Sequence, residues 1–211
     1  MARPRNQAAR RAHLVQAAAQ TVLDRGVTNA RLRDIADRAG LTPASVLYYY
    51  PDVNDLLVAV FEQGTETYVL RRQEAVEART TDWDRLSACV ASGVPFPGEA
   101  ETTSRLLYEL LPVAFRSEAA GARQRAFVAQ QTGLYRRVLD EGAASGAFRL
   151  AAPSDFLARG FVALEDGYGI DVLSGAATAE QVEERLLHHA RLVTGVSGAE
   201  VPGTGASGAG R

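Results

Sequence analysis

The twenty residues from Leu32 to Pro51 hold the side chains with the clearest chemical task. Thr42, Ser45 and Tyr48 carry hydroxyls, Arg31 and Arg33 carry guanidinium groups just upstream, and Ala44 is small enough to allow close approach. Hydroxyls and guanidinium forks are the groups that bond phosphates and the edges of bases. The frame around them is equally specific. Apolar residues fall at Ile35, Ala39, Leu41, Val46 and Tyr49, small Ala36 lies where two crossing helices would touch, and Gly40 stands where the chain must turn with positive φ. Thr42 suits a helix N-cap, and Pro43 suits a first helical position, where its missing N–H costs nothing. This spacing predicts a helix-turn-helix whose second helix is shaped to enter a DNA major groove. An ordinary αα-corner is the bland alternative.

Charge favours DNA. Residues 1–50 hold eight arginines against three aspartates, a balance of +5. The whole chain is −2, so the remainder carries −7. A basic end on an acidic body is the footprint of phosphate binding confined to one region. The DNA-contacting set expected here is Arg3 and Arg5 from an arm, Arg31 and Arg33 from the start of the second helix, and Thr42, Pro43, Ala44, Ser45, Tyr48 and Tyr49 around the third.

Residues 8–60 resemble the N-terminal domain of TetR-family transcriptional regulators: a long first helix, the helix-turn-helix, the aromatic run Tyr48-Tyr49-Tyr50, and a Pro51-Asp52 entry into a fourth helix. The likeness is close over Arg31–Leu56 and architectural elsewhere. Three positions depart from the family pattern. Leu47 replaces a usual phosphate-contacting tyrosine, Val53 replaces a common lysine at the start of the fourth helix, and Arg31 replaces the usual Thr or Ser. The phosphate contacts therefore do not carry over whole.

The rest of the chain also reads as helical. Helical spacing runs through residues 7–25, from Asp52 to Arg79, from an Asp82 cap to Gly93, from Glu99 to Ser117 with a kink expected at Pro112, and over 118–144. Two more helices follow, from about Asp155 to Leu173 and from a Thr178 cap to Thr194. The fold class is thus all-α with about nine helices: a helix-turn-helix domain at 1–50, a ligand-binding and dimerisation domain at 51–195, and a tail at 196–211. That tail is Gly, Ala and Ser with one proline, a composition that predicts disorder.

The Asp155–Leu173 stretch has apolar residues on every side, among them Phe156, Phe161, Val162, Ile170 and Val172. A helix apolar all round must be covered all round. In TetR-like proteins the last two helices build a four-helix dimer interface, and this pattern is similar. The resemblance implies a homodimer, with Val182 on the expected contact face.

Enzymatic patterns are weak. Gly-x-Ser-x-Gly, His-Glu-x-x-His and Cys-x-x-Cys do not occur, and Gly167-Tyr168-Gly169 lacks the third glycine of a dinucleotide loop. Adjacent His188 and His189 point to different helix faces, and His13 reads as a surface or phosphate-adjacent residue. No metal site and no cofactor is expected. Single Cys89 excludes an intrachain disulfide, and the sequence shows no leader-like or membrane-spanning apolar run, so a cytoplasmic protein is expected. All 23 basic residues are arginine, which together with the Ala and Gly load suggests a GC-rich bacterial genome.

A small-molecule site is expected between the helices of residues 52–173, walled by Phe61, Tyr68, Trp83, Leu86, Tyr108, Leu111, Phe127, Gln131, Tyr135, Glu165 and Tyr168. Such an apolar, aromatic lining with few polar groups is the usual make-up of a ligand pocket. Glu165 and Tyr168, one turn apart, are expected to meet one ligand group, and Asp166 to face elsewhere. An unpaired buried carboxylate would ask for an amine-bearing or polyhydroxylated apolar ligand. The 157–175 stretch also loosely resembles BetI-like members of the family. The reading is a ligand-responsive regulator, a repressor that binds a palindromic operator as a dimer and is released by a small molecule. Its alternatives are a helical enzyme and a DNA-binding scaffold without effector.

Overall fold

The computed structural model describes residues 3–116 and 118–197, without the side chains of residues 3–6 and 119. The arm side chains Arg3 and Arg5 and the tail beyond Ser197 lie outside the described residues. Within them the chain forms nine helices and no strand: α1 (Arg3–Arg25), α2 (Leu32–Arg38), α3 (Pro43–Tyr49), α4 (Val53–Glu77), α5 (Asp82–Gly93), α6 (Glu99–Arg116), α7 (Glu118–Ala144), α8 (Ser154–Ser174) and α9 (Ala179–Thr194).

Local chemistry sets most of these boundaries. Thr42 Oγ1 accepts the Ser45 N–H at 3.2 Å and Asp52 accepts the Asn54 N–H at 2.9 Å, so both helices start on a side-chain cap. Helix α9 begins with a capping box, in which Thr178 and Gln181 each bond the other's backbone N–H. At α5 the cap is Thr81, which accepts from the Asp84 N–H at 3.1 Å. Asp82, expected as the cap, is instead the first helical residue, where its charge still favours the helix N-terminus. Helix α6 continues through Pro112.

Two cores organise the packing. The first joins Leu14, Ala18 and Val22 of α1, Ile35 and Ala36 of α2 and Val46 of α3 to Leu56, Leu57, Val60 and Phe61 of α4 and to Leu110 of α6. The helix-turn-helix is therefore built onto the first half of α4. The second core gathers Leu86 and Val90 of α5, Tyr135 and Leu139 of α7, Phe161 and Val162 of α8, and Val182 and Leu186 of α9. Val182 is thus buried within its own chain at 1% exposure, not on the outer face expected from the sequence. Packing inside one subunit claimed it first.

Candidate functional site

The nucleic-acid side is built around α3. Gly40 takes φ +65° between α2 and α3, and the Leu41 N–H donates to the Ala36 carbonyl at 2.9 Å, which closes the turn. Val46 faces the core, so Thr42, Pro43, Ala44, Leu47 and Tyr48 point to solvent and Ser45 is half-buried. Tyr48 is 72% exposed and stands edge-on to half-buried Tyr49, with ring centroids 5.1 Å apart. Tyr50 is a core aromatic, with the Arg11 guanidinium 4.9 Å from its ring centre. An exposed tyrosine on an otherwise buried run is the side chain that reaches outward.

The arginines divide by how firmly they are held. Arg25 pairs with Asp34 at 3.3 Å and Arg38 pairs with Asp24, which ties α1 to α2. Asp34 also accepts the Arg31 N–H at 3.3 Å, so the Arg31 backbone is anchored while its side chain is exposed. Arg33 is 87% exposed and only 4.0 Å from Asp37. His13 is an exposed residue as expected, and its Nε2 lies 3.1 Å from the Ala39 carbonyl, which ties α1 to the turn.

The second candidate site is a cavity of about 360 Å³ between α4, α6, α7 and α8. Phe61, Tyr68, Tyr108, Leu111, Phe127, Gln131 and Glu165 line it, together with Gly93, Pro95, Ser104, Leu107, Phe115, Gln124, Asp166, Gly167, Gly169 and Ile170. Four residues expected in the wall lie elsewhere. Leu86 is in the second core. Trp83 is half-buried against the second core, with the Arg191 guanidinium 5.2 Å from its ring centre. Tyr168 turns toward α9, with Arg185 over its ring at 5.8 Å. Tyr135 is wholly buried behind Glu165, stacked on Phe161 at 4.6 Å. Asp166, expected to face elsewhere, lines the cavity instead.

Behind the polar wall lies a residue the sequence reading missed. Arg72 of α4 is 1% exposed and grips Glu165 of α8 in a two-pronged pair, Nη1 to Oε2 at 2.7 Å and Nη2 to Oε1 at 2.9 Å. Its Nη1 also donates to Gln131 Oε1 at 3.0 Å and to the Tyr68 hydroxyl at 3.3 Å, and its Nη2 donates to the Cys89 carbonyl at 2.9 Å. Tyr135 donates its hydroxyl to Glu165 Oε1. Burial works against the charge on Arg72, yet the touching Glu165 carboxylate holds its pKa well above the usual guanidinium value. Burial pushes the Tyr68 phenol up to about 12 and the Cys89 thiol up to about 11. Buried Cys89 thus favours the protonated thiol, the less nucleophilic form. Burial, then Glu165, raises the Asp166 carboxyl.

The signal for Arg72 was present in the register. Tyr68, Arg72 and Val76 follow one another at intervals of four along the buried face of α4. The consequence for the ligand is direct. Glu165 already has its cation, so it does not call for an amine. Gly93 fits this arrangement closely: a Cβ there would lie 2.0 Å from Glu165 Oε1.

The family model of bacterial regulatory proteins, tetR family, matches residues 14–60. The chain's N-terminal unit is a TetR-family DNA-binding domain. The matched segment covers the second half of α1, all of α2 and α3, and the first part of α4, which is the DNA-binding unit described above. Over 195 residues the chain is 26% identical to the HTH-type transcriptional repressor KstR2 of Mycolicibacterium smegmatis, spanning 87% of this chain and 90% of that one. Over 100 residues it is 29% identical to the HTH-type transcriptional activator FasR of the same organism, and this match spans 46% of FasR. Its fold superposes with TM-score 0.77 on a transcriptional regulator from Saccharomonospora viridis in complex with choline, at 22% identity over 83% of this chain and 92% of that one. The chain thus carries a DNA-binding domain. Among the described residues no helix is long and apolar enough to cross a membrane, and no cluster of His, Cys, Asp and Glu is arranged to hold a metal.

Proposed function

We propose that this protein is a dimeric repressor that binds a palindromic operator and is released by a small molecule held in the α4–α8 cavity. One observation carries the reading. Phe61 and Tyr68 form the cavity wall, while Leu56, Leu57 and Val60, one turn earlier on the same helix, form the floor of the helix-turn-helix core. A ligand that displaces α4 at one end therefore moves the DNA-binding unit at the other. A second link runs through α6. Its Tyr108 lines the cavity, and the next residue, Glu109, accepts the Val27 N–H at 3.1 Å just beyond α1. In a two-fold dimer such a shift changes the separation of the two α3 helices from the roughly 34–36 Å of successive major grooves, and operator affinity falls. The repressor KstR2 aligns along nearly the whole chain, which supports repression over activation, and the choline-bound neighbour supports a small-molecule site in this fold.

The dimer face follows from what α8 and α9 leave uncovered. Phe156, Gly160, Ala163, Gly167 and Ile170 recur at intervals of four and three along α8, the spacing of a helix–helix seam. Phe156 is 70% exposed, Ile170 56%, and Leu192 of α9 66%. Small residues let a second copy approach, and nothing lies within 4 Å of where a Gly160 Cβ would stand. Gly160→Arg is therefore expected to fold normally and sediment as a monomer at micromolar concentration where the wild type is a dimer. A wild-type monomer, or a dimer that survives the arginine, contradicts this face.

Coupling is tested by filling the cavity. A panel of uncharged, cationic and anionic lipophiles is titrated against the protein–operator complex. At least one class is expected to release DNA, and Leu111→Trp is expected to bind operator normally yet resist release. Release that persists unchanged in Leu111→Trp places the effector elsewhere.

A further inference from the structure

Two amides on the cavity face of α7 are only partly used. Gln131 is 4% exposed and lines the cavity. Its Oε1 accepts from Arg72, which fixes the amide and leaves Nε2 as a donor with no partner among the described residues. Gln124 lines the same cavity, and its Oε1 is buried with no hydrogen-bond partner. A buried polar atom left unpaired costs free energy that a ligand group can recover. The two glutamines are seven residues apart, two helical turns, so they share one face and stand about 10 Å apart along the axis. Phe127 lies between them, with Phe61, Leu107 and Leu111 also in the wall.

Charge narrows the ligand further. Arg72 and Glu165 cancel each other, so the deep wall presents hydrogen bonds and no net charge. A cationic head at the Gln131 end would meet the Arg72 guanidinium behind it. An anionic head would meet Glu165 and, elsewhere on the lining, Asp166. A hydroxyl both donates and accepts, so it satisfies either end of a glutamine amide.

We infer that the effector is an uncharged, elongated molecule with an apolar middle, a hydroxyl or carbonyl at one end that accepts from Gln131 Nε2, and a hydroxyl at the other end that donates to Gln124 Oε1. This rests on the cavity being the effector site, and it replaces the amine-bearing ligand that an unpaired Glu165 would have required.

The test uses probes matched in length: octane-1,8-diol, 1-octanol, 1,8-diaminooctane and octanedioate. Each is measured by calorimetry on the full-length protein without DNA. The diol is expected to bind roughly tenfold tighter than the mono-alcohol, the worth of one added neutral hydrogen bond. It should also bind tighter than the diamine and the dianion by at least that factor. Gln124→Leu should bring the diol down to the affinity of 1-octanol and leave 1-octanol within about threefold. A diamine or dianion that binds as tightly as the diol overturns the inference. So does a diol whose affinity ignores Gln124→Leu, or a lack of binding by all four probes. Tight diol binding that fails to release operator DNA would leave the ligand class standing and refute the coupling proposed above.

Discussion

Arg72→Met lowers the free energy of unfolding by about 3–5 kcal/mol, because it strands the Glu165 carboxylate in the interior without its cation. For a chain of this size that is roughly a 10 °C fall in Tm. The loss belongs to the orphaned charge more than to the missing contact. Arg72→Met combined with Glu165→Leu is therefore expected to recover most of the stability, since an apolar pair of similar volume avoids desolvating either ion. Thermal unfolding of the two single variants and the double variant checks this. A double variant no more stable than Arg72→Met would mean that the hydrogen bonds to Gln131, Tyr68 and Cys89 carry the stability instead. The same pair joins α4 to α8, so a folded double variant should also lose ligand-driven release of DNA while keeping operator affinity.

On the DNA side, Arg33→Ala with Tyr48→Ala is expected to weaken operator binding by at least about a hundredfold. Each lost contact is worth roughly 1–3 kcal/mol, and a two-fold dimer loses each contact twice. The two changes should differ in kind. Arg33→Ala, from a side chain 87% exposed and loosely held, is expected to weaken all DNA alike and flatten the salt dependence. Tyr48→Ala is expected to change which sequence is preferred. Binding curves against operator and random duplex at two salt concentrations separate them. Unchanged operator affinity in the double variant would remove α3 from the groove.

The helix-turn-helix was legible in the sequence because its constraints are local. A glycine at the turn, a threonine cap and five apolar positions each act within a few residues. The helix spans were legible for the same reason, with Thr81 mistaken for Asp82 as a cap because both residue types accept from the first turn. The cavity was legible only in part. Phe61, Tyr68, Tyr108, Leu111, Phe127, Gln131 and Glu165 could be picked as aromatic, aliphatic or polar groups on inward faces. Which way Tyr168 and Asp166 turn depends on how α8 rotates against α7 and α9, which is a tertiary fact. Arg72 escaped because arginine is read as a surface residue, although its register with Tyr68 and Val76 marked it as buried. Val182 misled for the opposite reason: an apolar residue on a terminal helix fits an intrachain core as well as an interface.

The central claim is tested most directly by selecting bound duplexes from a random-sequence pool with the purified full-length protein. The account predicts enrichment of an inverted repeat whose half-sites are one helical turn, or a multiple of it, apart, with a different half-site sequence enriched from the same pool when Tyr48→Ala replaces the wild type. Retention that follows salt concentration alone, with no inverted repeat emerging, would contradict it.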